Sequence, residues 1–224
     1  MSKSKRSYGD VCGAARALDT VGERWSLMVV RELLCGPKRF TDLRTGLPNV
    51  SPDVLSQRLR DLEATGILRR RTLPPPTPAK VYELTDYGRE LGPVIDALGR
   101  WGARLPLPAD GDLWMSFDAH VISFRTMFDP ASADGFAGRI VLRFTEGRTF
   151  TAKVADGELD LTEAESADAD AVIEGPIGQV LAAAQARLDV DQAIAEGMQL
   201  AGDEAVARRF LTLFPLPDPA PIPA

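Results

Sequence analysis

Apolar side chains recur at helical spacing between Val11 and Leu62, which predicts a helical domain. A first helix, 11–21, follows Asp10 as its cap and ends at Gly22. The second starts at Trp25, stops before Gly36 and is apolar on nearly all sides. A helix of that kind is expected to lie buried at the centre of its domain.

Two shorter helices joined by a turn come next, and their spacing is that of a helix-turn-helix. The first covers 41–47, and the second begins with Ser51 as its cap and Pro52 at its first position. Three leucines of the second helix must face inward: Leu55, Leu59 and Leu62. Its outward-facing side chains are polar and can form hydrogen bonds: Asp53, Ser56, Gln57 and Arg60.

After Gly66 the pattern changes to two strands, 67–73 and 80–85, which predict a β-hairpin. The turn between them holds four prolines, so we expect a stiff tip that cannot pair with another strand. A long helix capped by Thr85 or Asp86 follows, with Pro93 at a place where proline can kink it. The apolar stripe of this helix consists of Leu91, Ile95, Leu98, Trp101 and Leu105.

The composition breaks at 106–112, which predicts a linker between a first domain, 1–105, and a second, 113–214. The second domain opens with a helix and continues with short strands and further helices. The expected fold class of the chain is therefore α+β, with a sheet packed by helices in the second domain. A proline-rich tail, 215–224, ends the chain and should be extended.

The strands of the second domain are predicted at 139–144, 149–155, 158–162 and about 169–174, with a short extended piece at 198–201. Its later helices are predicted near 177–187, 190–196 and 203–213. In the first strand one set of side chains, Ile140, Leu142 and Phe144, alternates with another, Arg139, Val141 and Arg143. This alternation predicts that one face of the sheet is in contact with solvent.

Composition narrows the class of protein. Hydrophobic residues make up 45% of the 224 and charged residues 26%, a globular balance without a run long enough to span a membrane. The start of the chain lacks the apolar region of a signal peptide, so we expect a cytoplasmic protein. Two cysteines, Cys12 and Cys35, are too few for a disulfide scaffold and lack the spacing of a zinc site, so neither metal nor cofactor is expected.

The net charge of −6 conceals two halves of opposite sign. Residues 1–105 carry 18 Lys and Arg against 12 Asp and Glu, whereas the remainder carries 8 against 20. Four cations fall on the predicted hairpin, Arg69, Arg70, Arg71 and Lys80, and two more, Lys38 and Arg39, precede the third helix. Such clusters suit phosphate groups, while Gln57 can address an adenine edge and Arg60 a guanine edge or a phosphate. The plainer alternative is a solvated basic surface.

The run from Cys12 through ERW, GPKRF and SPDVLSQRLRDLE to LTDYG resembles the HxlR family of bacterial winged helix-turn-helix regulators over residues 10–104. The resemblance implies a dimeric repressor or activator of transcription that binds double-stranded DNA. In such a protein the helix from Ser51 enters the major groove, the hairpin at 67–84 is the wing and the terminal helices form the homodimer. Ser51 and Ser56 join the candidate DNA-binding residues on this basis.

The segment AIAEGMQLAGDEAVARRFLTLF, with IEGPIGQVLAAA before it, resembles the sterol carrier protein type two fold. That resemblance implies a sheet and helices that enclose an apolar tunnel. Because it is attached to a DNA-binding module, such a domain is expected to sense a small apolar ligand. Candidate ligand contacts are Trp114, Phe117, Val121, Phe124, Phe128, Phe144, Phe150, Met198, Leu200, Phe210 and Phe214. Two alternatives stay open, namely an aromatic core with a dimer surface but no ligand, and a lipid carrier without a regulatory role.

The sequence offers little for catalysis, so we do not expect an enzyme. The sole histidine, His120, has no identifiable nucleophile as partner, and the acidic run TEAESADAD is spaced like a solvated loop.

Cys12 is a candidate redox sensor because the first turn of a helix, with Arg16 one turn on, favours a thiolate. Some members of the resembling family sense oxidants or electrophiles through a cysteine at this place. Packing beside an apolar face is the alternative for Cys12, and Cys35 is expected to be a small core residue.

Overall fold

The computed structural model describes residues 7–74, 78–107 and 114–221, and it has a mixed α+β architecture. The chain divides into two compact units, Met1–Ile95 and Asp96–Ala224. Pro75 and Pro76 at the predicted hairpin tip, most of the predicted linker and the last three residues of the tail lie outside the described residues. The linker and the domain limits drawn from composition therefore stay predictions.

The first unit starts with four helices: α1 Gly13–Val21, α2 Ser26–Leu34, α3 Phe40–Gly46 and α4 Pro52–Ala64. α1 begins two residues later than expected, because Asp10 accepts a hydrogen bond from the Cys12 N–H and Cys12 takes the cap position. α2 is the central helix as predicted, and its Val29 and Val30 are fully buried. α4 begins after Ser51, as predicted.

The predicted hairpin forms from β1 Leu68–Thr72 and β2 Lys80–Leu84, which pair antiparallel. Leu68 lies opposite Leu84, and both are buried, so the base of the hairpin is anchored in the core of the unit. The backbone groups of Lys38 and Tyr82 exchange two hydrogen bonds, of 2.9 and 2.8 Å, and thereby fix the segment before α3 to β2.

The long helix expected after the hairpin is instead two helices, α5 Asp86–Arg89 and α6 Gly92–Gly102. Proline has no N–H and disfavours helical backbone in the residue before it, so Pro93 fits in the first turn of a new helix rather than inside a continuous one. Thr85 rather than Asp86 caps α5, since its hydroxyl accepts from the Gly88 N–H. The apolar stripe of α6 is buried at Ile95 but exposed further on, with Trp101 61% exposed.

The second unit contains a five-stranded sheet in the order β5-β4-β3-β6-β7, in which the described pairs are antiparallel except β3 with β6. The strands are β3 Gly138–Phe144, β4 Arg148–Ala155, β5 Glu158–Thr162, β6 Ala171–Gly175 and β7 Gln199–Gly202, close to the predicted limits. One expectation about β3 is wrong: Val141, placed on the solvent face, is 1% exposed. β3 is the central strand of the sheet, and the middle of it is buried on both faces.

After α6, which crosses the boundary between the units, the described residues of this unit form four more helices: α7 Phe117–Met127, α8 Ile177–Ala184, α9 Val190–Ala195 and α10 Glu204–Leu211. Its core holds two groups of phenylalanine rings. Phe117, Phe144 and Phe150 form one group with ring centroids 5.5 to 6.2 Å apart. The other group surrounds Phe214, whose ring meets those of Phe124, Phe128 and Phe210.

The tail has no helix or strand as far as it is described, and it is hydrogen-bonded to the second unit. The Ala220 N–H donates to the Arg104 carbonyl, and Arg104 Nε donates to the Asp218 carbonyl, both at 2.9 Å.

Candidate nucleic-acid interface

Helix α4 presents one apolar and one polar face, and packing fixes which is which. The Ser51 hydroxyl caps the helix by accepting from the Val54 N–H at 3.4 Å. Leu55 and Leu59 are fully buried, which turns Gln57 and Arg60 toward solvent as predicted. A one-residue rotation of α4 would bury charge and expose leucine, so the outward face is firmly set.

The outward side chains of α4 are joined in a short chain of hydrogen bonds. Arg60 Nη2 donates to Gln57 Oε1 at 2.7 Å, and Gln57 Nε2 donates to Asp61 Oδ1 at 2.8 Å. A base edge that pairs with both the oxygen and the nitrogen of the Gln57 amide must replace these bonds, whereas Arg60 uses only Nη2 here and keeps further N–H donors. Ser51 is exposed but its hydroxyl is occupied by the cap, and Ser56 is half-buried beside this chain of bonds.

The three consecutive arginines of β1 are exposed, yet each is paired with a carboxylate. Arg69 Nε donates to Glu83 Oε1 at 2.6 Å and Arg71 Nη1 donates to Glu83 Oε2 at 3.2 Å. Arg70 pairs with Glu63 of α4 at 3.1 Å and lies 5.5 Å from the centre of the Tyr82 ring. The Arg70 pair joins the hairpin to the C-terminal half of α4.

Glu83 and Glu63 are functional candidates that sequence reasoning missed. Glu83 stands directly opposite Arg69 in the hairpin register, and opposite charges across two strands are a recurrent stabilising pair. The strand register was the missing information, because local spacing along the chain does not contain it. Hydrogen bonding from Arg69, and then from Arg71, holds the pKa of the Glu83 carboxyl below its ordinary value.

The remaining predicted cations lie near the same surface. Lys80 is exposed at the far end of β2, and Arg39 is exposed at the start of α3, where Asp42 accepts from its backbone N–H. Lys38 is half-buried, and its backbone pairs with Tyr82. The structure thus gathers the start of α3, the outward face of α4 and the hairpin within one unit.

Cys12 occupies the cap position of α1 rather than its first turn, and it is exposed. Backbone N–H groups of Ala14 and Ala15 that point to its sulfur lower the pKa of the thiol. Gly13, its neighbour in the chain, lines a cavity of about 390 Å³ together with residues of α1 and α5. Cys35 is half-buried at the end of α2, less enclosed than a core position.

The candidate ligand residues of the second unit differ in burial. Eight of the eleven are buried: Val121, Phe124, Phe128, Phe144, Phe150, Met198, Phe210 and Phe214. Phe117 and Leu200 are half-buried, and Trp114 is 52% exposed before α7 begins. A cavity of about 400 Å³ in this unit is lined by other residues, mostly apolar: Ala183, Ala184, Ala186, Leu188, Asp189, Val190, Leu211, Thr212 and Pro215.

The acidic run at 162–170 is largely an exposed loop, as expected, but three of its carboxylates pair with arginines of the sheet. Glu163 pairs with Arg148, Glu165 with Arg143 and Asp168 with Arg139. Arg148 also pairs with Asp118 and lies 4.6 and 5.1 Å from the centres of the Phe117 and Phe150 rings. Its carboxylate partners raise its pKa above the ordinary arginine value, although its burial acts in the opposite direction.

Within the described residues the one histidine makes a local contact, and neither a group of metal ligands nor a helix that could span a membrane is found. His120 Nδ1 lies 2.8 Å from the Ser116 carbonyl, a local contact within α7. Over residues 7–74, 78–107 and 114–221, no group of three His, Cys, Asp or Glu side chains could hold a metal ion. Within the same residues, no helix has the length and apolarity needed to cross a membrane.

Comparison with known proteins bears on the first unit. Residues 20–108 match the family model described as HxlR-like helix-turn-helix. The chain is 39% identical over 87 residues to the uncharacterized HTH-type transcriptional regulator YvaP of Bacillus subtilis, covering 38% of this chain and 80% of that one. It is 36% identical over 95 residues to the HTH-type transcriptional regulator YodB of the same organism, covering 42% and 84%. A solved structure of the redox regulator HypR in its reduced form aligns over 41% of this chain and 90% of that one, with 32% identity and a TM-score of 0.38. These relatives are regulators rather than enzymes, as expected.

Proposed function

The chain belongs to the HxlR-like helix-turn-helix family of DNA-binding transcriptional regulators, and we propose that it binds two half-sites of duplex DNA as a homodimer. In this proposal α4 enters the major groove and the hairpin β1–β2 contacts the phosphate backbone. The observation that carries it is the outward polar face of α4 beside three exposed arginines of one strand.

Base recognition is assigned to Gln57 and Arg60. Both side chains are exposed on the face of α4 opposite its buried leucines, and both have the donor and acceptor groups that base edges require. Their mutual hydrogen bond and the bond to Asp61 keep them ordered before DNA arrives. We place Ser51 and Ser56 near the phosphates that flank the N-terminal half of α4, where their contacts would help to orient the helix.

Phosphate contacts are assigned to the hairpin and to the start of α3. Arg69, Arg70, Arg71 and Lys80 carry four positive charges over two strands, and Lys38 and Arg39 add two. Each phosphate that is neutralised releases counterions, so binding must weaken as the salt concentration rises.

A homodimer is supported by apolar side chains that α1 and α6 leave exposed. α6 exposes Val94, Leu98 and Trp101, and Leu105 follows shortly after the helix ends. Leu18 of α1 is also exposed. Exposed apolar side chains of this kind are typical of a surface that another protein covers, and an equal pair of half-sites requires a second copy of the chain.

Regulation by a small apolar ligand is assigned to the second unit. The cavity of about 400 Å³ beside α8 and α10 has the size and mostly apolar lining that suit such a molecule. Most of the predicted aromatic residues pack against one another instead, so the cavity beside α8 and α10 is the preferred place to look. A ligand alters DNA affinity only to the extent that it binds the two states of the protein differently.

Footprinting tests the DNA-binding proposal. The full-length protein should be used to select fragments from its own genome, which are then footprinted at several salt concentrations. We expect two protected half-sites about 10 base pairs, one helical turn, apart and a steep loss of protection with salt. A single unrepeated footprint, or protection that does not depend on salt, would contradict the proposal.

Redox sensing through Cys12 is a second candidate function, favoured by its exposure and by the lowered pKa of its thiol. A lowered pKa leaves more thiolate at neutral pH, and the thiolate is the form that reacts with oxidants and electrophiles. Cys12→Ser should then preserve DNA binding but abolish its loss on treatment with a quinone or peroxide. Equal sensitivity of the wild type and Cys12→Ser would remove this candidate, and Cys35→Ser provides the matched control.

A further inference from the structure

Glu83 is a negative charge placed beneath a surface that is proposed to meet a polyanion. It is 3% exposed, next to the last residue of β2, and each of its two oxygens accepts from a different arginine, Arg69 and Arg71. If the hairpin needed only positive charge, a neutral residue at this position would serve it better. The burial of a carboxylate also carries a desolvation cost, which its two charged hydrogen bonds offset.

The geometry of these bonds leaves both arginines able to bind a further anion. The side chains of Arg69 and Arg71 are 62% and 50% exposed. Arg69 uses only its Nε and Arg71 only one Nη for Glu83, and among the described residues their other N–H groups have no hydrogen-bond acceptor. One carboxylate therefore holds two guanidinium groups from the inner side while their outer donors stay available.

Ordering matters for arginine because its long side chain loses much rotamer freedom when it binds. A side chain that is already held in place loses less of this freedom when DNA arrives, so affinity rises without any added interaction. The lowered pKa of the Glu83 carboxyl keeps it ionised at neutral pH, so the arrangement persists under binding conditions.

We propose that Glu83 is a positioning residue of the hairpin, one that presents Arg69 and Arg71 as an ordered pair to a single stretch of DNA backbone. This inference rests on the proposed function, since it concerns how the hairpin meets phosphate. In this proposal the Glu83 carboxylate increases the affinity for DNA, although its negative charge alone would decrease that affinity.

The sign of the effect makes the proposal testable. The full-length protein and its E83Q variant should be titrated against a labelled random-sequence duplex of about 30 base pairs, long enough for two half-sites. Charge alone predicts that E83Q binds DNA more tightly, whereas loss of ordering predicts binding about 3- to 10-fold weaker. The D86N variant is the matched control, since it also removes one negative charge, from an exposed side chain that pairs only with Arg89 among the described residues. We expect D86N to bind as well as or slightly better than the wild type.

Two further variants distinguish a positioning role of Glu83 from a merely structural role. E83D keeps the charge but shortens the side chain, so it should weaken binding much as E83Q does. In an R69A/R71A background E83Q should have no weakening effect, because no arginines remain to be positioned. Circular dichroism confirms that each variant is folded at the assay temperature.

The outcomes are distinct. E83Q binding as tightly as D86N, or weakening binding equally with and without the two arginines, overturns the proposal while the hairpin keeps its place in DNA binding. Unchanged DNA affinity of R69A/R71A would overturn the hairpin assignment and this inference together.

Discussion

The two units use arginine in opposite ways. In the hairpin of the first unit, Arg69 and Arg71 share the single carboxylate of Glu83 and keep half or more of each side chain exposed. In the sheet of the second unit, a single arginine, Arg148, is paired with two carboxylates, Asp118 and Glu163, and is 25% exposed. The hairpin group keeps a net positive charge at the surface, whereas the two carboxylates around Arg148 outweigh its charge.

This difference shows why a count of cations is a weak guide to DNA binding. The second half of the chain has eight Lys and Arg residues, yet its acids outnumber them and several arginines are tied to the acidic run. What distinguishes the hairpin is the ratio of guanidinium to carboxylate groups, together with exposure.

Arg148→Ala should destabilise the second unit by about 2 to 3 kcal/mol, because it leaves Asp118 nearly buried without this partner and removes the packing of the guanidinium on two rings. Thermal or urea unfolding of the full-length protein measures the change. DNA affinity per folded molecule should be unaltered. If Arg148→Ala were stable but bound DNA more weakly, Arg148 would act in DNA binding, and the two units would not differ as described.

Gln57→Ala or Arg60→Ala should reduce the preference for a selected operator over random duplex by about 1 to 2 kcal/mol, roughly a factor of 5 to 30. Competition binding with both duplexes measures this preference. The two variants should leave binding to random DNA less affected than binding to the operator. Equal losses for both duplexes would mean that α4 does not face the bases.

Replacing one helix-capping serine in each unit should cause smaller losses of stability, which can be compared directly. Ser116→Ala should cost about 1 kcal/mol, because its buried hydroxyl accepts from the Ala119 N–H at 3.0 Å. Ser51→Ala should cost less, since its exposed cap bond to the Val54 N–H is longer, at 3.4 Å. Urea unfolding of each variant ranks them, and the reverse order would contradict the comparison.

The smallest effect concerns acid pH. The pKa of Glu83 is lowered in the folded state, so its contribution to stability is complete above its unfolded pKa of about 4.3 and fades as pH falls toward its folded pKa. E83Q lacks this contribution. The stability difference between the wild type and E83Q should therefore shrink on acidification below about pH 4.3, as followed by urea unfolding at several pH values. A difference that does not change on acidification through this range would mean that Glu83 is not held as described.

Sequence periodicity predicted most helices and strands because each of them buries one apolar face. α4 is one instance, with Leu55, Leu59 and Leu62 buried as expected, and the strands and later helices of the second unit were placed within a few residues. The helix after the hairpin was predicted less well, since apolar spacing continues across Pro93 while the backbone does not.

Long-range pairing could not be predicted from the same pattern. The pairing of Glu83 with Arg69 depends on a register, and the pairing of the acidic run with the sheet depends on topology, neither of which local spacing contains. The aromatic residues of the second unit show a related difficulty. Spacing identified them as apolar and inward-facing but could not distinguish the lining of a cavity from rings packed against one another.

We propose that the hairpin and α4 of the first unit bind DNA with positive charge that the rest of the chain does not supply. The most direct measurement is the salt dependence of affinity for duplex DNA, compared between R69A/R70A/R71A and a triple variant of the sheet, R139A/R143A/R148A, at a temperature where both are folded. The hairpin variant should bind more weakly, and its slope of log affinity against log salt should be shallower by about 0.9 for each phosphate that it no longer neutralises. The sheet variant should keep the wild-type slope. Equal slopes for the wild type and the hairpin variant would mean that the hairpin does not neutralise DNA phosphates.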